Sequence, residues 1–127
     1  MILDLRFITD FALLALRIIV AITFLSSGIS HLRKPSERGD QLGLSKSATI
    51  LLGLAEIVAP LSIALGIYIQ VGAALLIIVM LGAIYKKIFA WDIGFYSEES
   101  MGWHYDLLLL CANVVFLTTP GRWVIVG

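Results

Sequence analysis

Seven side chains carry most of the chemistry this sequence can offer: His31, His104, Glu56, Asp106, Arg17, Tyr85 and Trp103. Imidazole titrates close to neutral pH, and a carboxylate beside it can share or pass on a proton, so histidine and aspartate together suit proton carriage or the holding of a polar head group. The densest group is Gly102-Trp103-His104-Tyr105-Asp106, which leads directly into the apolar run Leu107 to Leu117. No nucleophile–base triad, phosphate-binding glycine loop or nucleotide motif is present. The single cysteine, Cys111, lies within an apolar run; it excludes an intramolecular disulfide and reads as a small packing residue.

The elements that must position these groups are set by composition. Hydrophobic residues make up 60% of the 127 and charged residues 14%, and the mean hydropathy is +0.99. Those values fall outside the range of soluble domains and predict an integral membrane protein. Nine acids balance nine bases, so no overall field steers the chain toward nucleic acid. The first apolar run differs from a cleaved secretory signal, because Asp4 and Asp10 make its flank poorly basic and Arg17 interrupts it.

Four apolar segments follow, predicted as helices over about 8–29, 48–65, 71–84 and 103–119, an all-α four-helix bundle forming one transmembrane domain. Segment one carries Arg17 in its interior and ends in Ser26-Ser27-Gly28 before His31-Leu32-Arg33-Lys34-Pro35. Residues 36–47 read as a polar loop, with a short interfacial helical turn left open. Segment two holds Glu56 near its middle and Pro60 one turn later, where the missing N–H should kink the helix. Segment three ends in Tyr85-Lys86-Lys87, an aromatic followed by two anchoring cations. Residues 89–101 interleave Phe89, Trp91, Phe95 and Tyr96 with Asp92, Glu98 and Glu99, the pattern of an interfacial loop.

Four spans place both termini on one side and the first and third loops on the other. Arg33, Lys34, Arg38, Lys46, Lys86 and Lys87 then outnumber Arg6 and Arg122, so the positive-inside rule puts those loops in the cytoplasm. The same topology brings His31, Tyr85, Trp103, His104 and Asp106 to one membrane face, where they are expected to form a pocket for a quinone-like head group; the plainer account is an aromatic belt with two wet histidines. Arg17 and Glu56 sit on consecutive antiparallel helices, about 21 Å and 14 Å from that face, within reach of an intramembrane charge pair. Two histidines at one depth also raise haem ligation, but both lie at the edge of the hydrocarbon. The chain is therefore read as having no metal site and no cofactor of its own, with quinone as the candidate ligand.

In these residues the chain resembles the DoxX family of small four-helix membrane proteins. The resemblance rests on Arg17-Ile18, on Phe24-Leu25-Ser26-Ser27-Gly28-Ile29-Ser30-His31-Leu32, on Gly53-Leu54-Ala55-Glu56-Ile57 and on Met80-Leu81-Gly82-Ala83-Ile84. It continues from Trp103 to Trp123, with Asp106 where an acid often stands and Pro120-Gly121-Arg122-Trp123 closing the pattern. The chain departs from the family at Ser30-His31-Leu32-Arg33, where a lysine is common, and at Thr119, where glycine is usual. The resemblance implies a multi-pass protein of the cytoplasmic membrane of a bacterium or archaeon, associated with quinone-linked respiratory or sulfur-oxidation complexes. Three function classes follow: an oxidoreductase-associated subunit that lines a quinone site or anchors a partner, a non-catalytic accessory subunit packed against a larger membrane complex, and a small-molecule carrier. The expected partners are the lipid bilayer and a larger membrane protein complex.

Overall fold

The structure, a computed structural model, describes residues 3–95, 102–119, 121 and 124–125. All regular structure among them is helical. A single 3-10 turn at Arg6–Ile8 leads into α1 (Thr9–Arg33); α2 (Pro35–Leu42), α3 (Lys46–Leu65), α4 (Ile69–Tyr85) and α5 (Trp103–Thr118) follow, with a wide π turn at Lys86–Ala90 after α4. At about 1.5 Å per residue, α1 and α3 match or exceed a hydrocarbon core of about 30 Å, and α4 does so once the π turn extends it. These three are long and apolar enough to cross a membrane, while α5 is a shorter apolar helix. Phe11, Ile19, Leu51, Val58, Val71, Ile78 and Leu108 point outward, an arrangement that suits lipid and not water.

Local sequence explains the boundaries. The Ser45 hydroxyl accepts from the Ala48 N–H and caps the start of α3. Gly66, at φ 76°, ends α3 in the left-handed conformation that only glycine adopts freely. The Ser62 hydroxyl reaches across that turn to the Ile67 carbonyl. Residues 36–47, expected as a loop, include α2, because Pro35 sits at its first position and Gly43, at φ 71°, closes it. The interfacial loop expected over residues 89–101 is described only in part, since Tyr96, Glu98 and Glu99 lie outside the described residues, as do Pro120, Arg122 and Trp123 of the closing pattern.

The helices pack as two pairs, α1 on α3 and α4 on α5, joined mainly where α3 meets α4; α1 and α5 barely touch. Glycine sets the closest approaches. A Cβ on Gly28 would lie 2.9 Å from the Gly53 carbonyl oxygen, and one on Gly72 would lie 2.9 Å from the Ala59 carbonyl oxygen. Small residues let membrane helices approach this closely and gain dispersion contact in place of the hydrophobic drive that lipid removes. Val20, Phe24, Ala59, Ile63, Ile69, Ala73, Leu76, Met80 and Phe116 then fill the half of the bundle nearest the α3–α4 turn. The other half, toward α2, is where the ionisable groups gather.

Gly28→Ala should therefore weaken the bundle by about 1–3 kcal/mol, the usual range for overpacking. Gly82→Ala, whose added methyl meets nothing within 4 Å, should leave stability unchanged. Unfolding midpoints of the two purified variants in one detergent check the contrast.

Candidate functional site

A cavity of about 530 Å³ opens between the two helix pairs beneath α2. Every helix contributes to it: Thr23, Ser27 and His31 from α1, Arg38 from α2, Glu56 from α3, Met80 from α4, Tyr105 and Asp106 from α5, with Lys86 and Lys87 from the π turn. Apolar side chains such as Leu52, Ile78, Val79 and Leu109 complete the wall.

On the α1–α3 side, the close crossing at Gly28 and Gly53 brings His31 against Glu56. His31 Nδ1 stands 2.6 Å from the Ser27 carbonyl oxygen and 3.4 Å from Glu56 Oε2. A carbonyl only accepts, so Nδ1 carries a hydrogen and directs it to Ser27; that leaves Glu56 Oε2 with no hydrogen-bond partner. The two side chains are 4% and 5% exposed, so the pair lies away from bulk solvent. Pro60 sharpens the polarity of the same turn. Lacking an N–H, it leaves the Glu56 carbonyl without the bond that residue i+4 would ordinarily donate.

On the α4–α5 side, Lys87 Nζ lies 2.7 Å from Asp106 Oδ2, with the two side chains only 14% and 6% exposed. The π turn aims Lys87 inward: Trp91 N–H bonds the Lys86 carbonyl at 2.9 Å, five residues back, and π turns of this kind recur at functional sites. Lys87 also approaches the Tyr105 ring, at 5.9 Å from its centroid.

Of the five residues expected to share a pocket, the structure brings His31 and Asp106 to the cavity wall and leaves Tyr85, Trp103 and His104 off it. Tyr85 faces outward and stacks near Phe89, at 5.2 Å between ring centroids. Trp103 meets Phe95 edge to face at 4.7 Å. His104 donates from Nδ1 to the Phe95 carbonyl at 2.6 Å, and its backbone N–H bonds the same oxygen at 3.1 Å. Trp103 and His104 therefore anchor the start of α5, where helix N–H groups need outside acceptors.

The expected Arg17–Glu56 pair does not form. Arg17 is buried, and its Nε donates to the Ile63 carbonyl at 2.8 Å while Nη2 reaches the Ala64 carbonyl at 3.4 Å. Ile63 lies seven residues beyond Glu56, about 10 Å along α3. The last carbonyls of a helix lack internal donors and carry the negative end of its dipole, so they draw the guanidinium to the far end of α3. Glu56 turns instead to His31.

Ser27, Arg38, Lys86, Lys87 and Tyr105 escaped sequence reasoning as site residues. Lys86 and Lys87 read as interfacial anchors, and only the inward turn that follows α4 reveals otherwise. Arg38 stood in a stretch read as a loop, and Ser27 passed for a packing residue.

A buried ion pair is destabilised most when one partner is left alone. Lys87→Met and Asp106→Leu should each cost about 3–5 kcal/mol, whereas the double variant should recover most of that loss. A double-mutant cycle on unfolding free energies in detergent reads the coupling directly.

The model of one family, DoxX, matches residues 12–90, which is more than half of the chain and includes α1, α2, α3, α4 and the π turn. No curated protein matches the chain, and no solved structure does.

Proposed function

This chain belongs to the DoxX family, and from that membership and the cavity we propose that it is a small membrane subunit of a quinone-linked redox complex, one that holds a quinone head group between its helices. In this reading α5 is the fourth membrane helix of a bundle in the cytoplasmic membrane of a bacterium or archaeon, and electrons come from a partner in a larger complex. The chain contributes the site and no cofactor of its own.

The observation that carries the reading is Glu56 Oε2, a buried carboxylate oxygen of a residue on the cavity wall, without a hydrogen-bond donor among the described residues. An unmet acceptor of this kind raises the energy of the empty site and rewards a ligand that brings an O–H to it. A quinol does so with its ring hydroxyl, and its apolar ring and tail suit walls made of Leu52, Ile78, Val79 and Leu109. Lys87 and the ring of Tyr105 lie across the cavity from α1 and α3, where a donor can meet the oxygen on the far side of a quinone ring. His31, fixed by Ser27, holds the position of Glu56.

Photo-crosslinking with an azidoquinone in lipid nanodiscs tests the reading. The label should map to α1, α3 or α5 residues of the cavity. Glu56→Leu should weaken binding about tenfold, the value of one hydrogen bond to a charged group. Cys111→Ser, on the outer face of α5, should bind as the wild type does. A chain that takes up no analogue would favour the non-catalytic accessory subunit instead.

A further inference from the structure

The α2 end of the cavity carries two cations, Arg38 and Lys86, that form no salt bridge among the described residues. Arg38 donates from Nη1 to the Gln41 side chain at 2.9 Å, but its Nε is shut off from solvent with no acceptor. Lys86 lines the same wall and lies against the bare backbone of Gly43, where a Cβ would stand 3.5 Å from its Nζ. Neither has a carboxylate partner among the described residues. Of the acids at this end, Asp106 pairs with Lys87, Glu37 lies 3.9 Å from Lys34, Glu56 lies against His31, and Asp40 and Asp92 are exposed.

We propose that Arg38 and Lys86 bind the phosphate of an anionic amphiphile whose hydrocarbon chain lies in the cavity. The chemistry follows from the two parts of the wall. Guanidinium presents a planar fork of donors that matches phosphate oxygens, and an ammonium beside it adds a second charge. The apolar part begins immediately beside them, with Leu42 and Leu44 at the end of α2 and Leu52 and Ile78 below. A free oxyanion would satisfy the cations and leave that apolar wall empty; a neutral lipid would do the reverse. A phosphate ester that carries a hydrocarbon chain meets both. Arg33 and Lys46 stand at the same end of the bundle, at the end of α1 and the start of α3, and add positive charge that favours an anionic head group over a zwitterionic one. The proposal shares the cavity's apolar wall with the quinone reading and differs from it in the polar contacts, Arg38 and Lys86 in place of Glu56.

Native mass spectrometry of the purified chain, with phosphatidylglycerol or phosphatidylcholine added, provides the test. Phosphatidylglycerol should be retained at least tenfold better than phosphatidylcholine by the wild type, and Arg38→Gln with Lys86→Gln should abolish the preference. Arg38→Lys with Lys86→Arg, which keeps both charges, should restore most of it and so separate lost binding from lost folding. Inorganic phosphate at millimolar concentration should fail to displace the lipid; displacement would overturn the amphiphile and assign the cations to a free oxyanion. Equal retention by the wild type and the glutamine variant would overturn the site altogether. Glu56→Leu should leave the lipid preference intact, so failure of the quinone reading is scored separately.

Discussion

The crossing of α1 over α3 at Gly28 and Gly53 is the constraint on which the ionisable half of this molecule depends. A Cβ on Gly28 would fall 3.1 Å from the Glu56 carbonyl carbon, and one on Gly53 would fall 3.1 Å from the His31 Cβ. The two backbones are thus as near as they can be at the residues that bear the chemistry. That proximity is why a histidine near the end of one helix meets a carboxylate in the interior of the next. It is also why the other helix pair must stand off, leaving a cavity where α4 and α5 cannot follow.

Hydrocarbon offers no water to a polar group, so each charge inside the bundle needs a local remedy. Arg17 finds helix-end carbonyls, Lys87 finds Asp106, and His31 finds the carbonyl one turn behind it. Glu56 is less well served, because the His31 Nδ1 hydrogen is directed to the Ser27 carbonyl and the proline four residues on leaves its own carbonyl short of a bond. Arg38 Nε, on the same cavity wall, is likewise buried without a partner, and unmet polar atoms gathered on one cavity are a reason to look for a ligand there.

Much of this was legible in the sequence, and the reasons are specific. Apolar runs of membrane length gave α1, α3 and α4 within a few residues, and the antiparallel topology placed the His31 end beside the start of α5. The pairings were harder. Arg17 and Glu56 matched in charge, and helix counting allowed them to meet, but a one-letter sequence does not display the unsatisfied carbonyls at the end of α3 that compete for the guanidinium. Trp103 and His104 looked like pocket residues by type, yet their service is to Phe95 and the start of α5. Lys86 and Lys87 were missed for a geometric reason: a regular helix would have run them out to the interface, and the π turn carries them back under α2.

That turn also explains why the cavity has two unlike ends. It spends Lys87 on Asp106, which ties α5 to α4, and leaves Lys86 beside Gly43 with no carboxylate partner among the described residues. α5 is held chiefly by α4 and scarcely touches α1, so the α1–α5 seam is a thin joint of the bundle. Thr23 stands on one side of that seam and Tyr105 and Leu109 stand on the other, all three on the cavity wall. A lipid-soluble molecule entering from the bilayer would part few contacts there, arriving with its polar end toward Glu56 and without disturbing the α1–α3 crossing that keeps Glu56 in place.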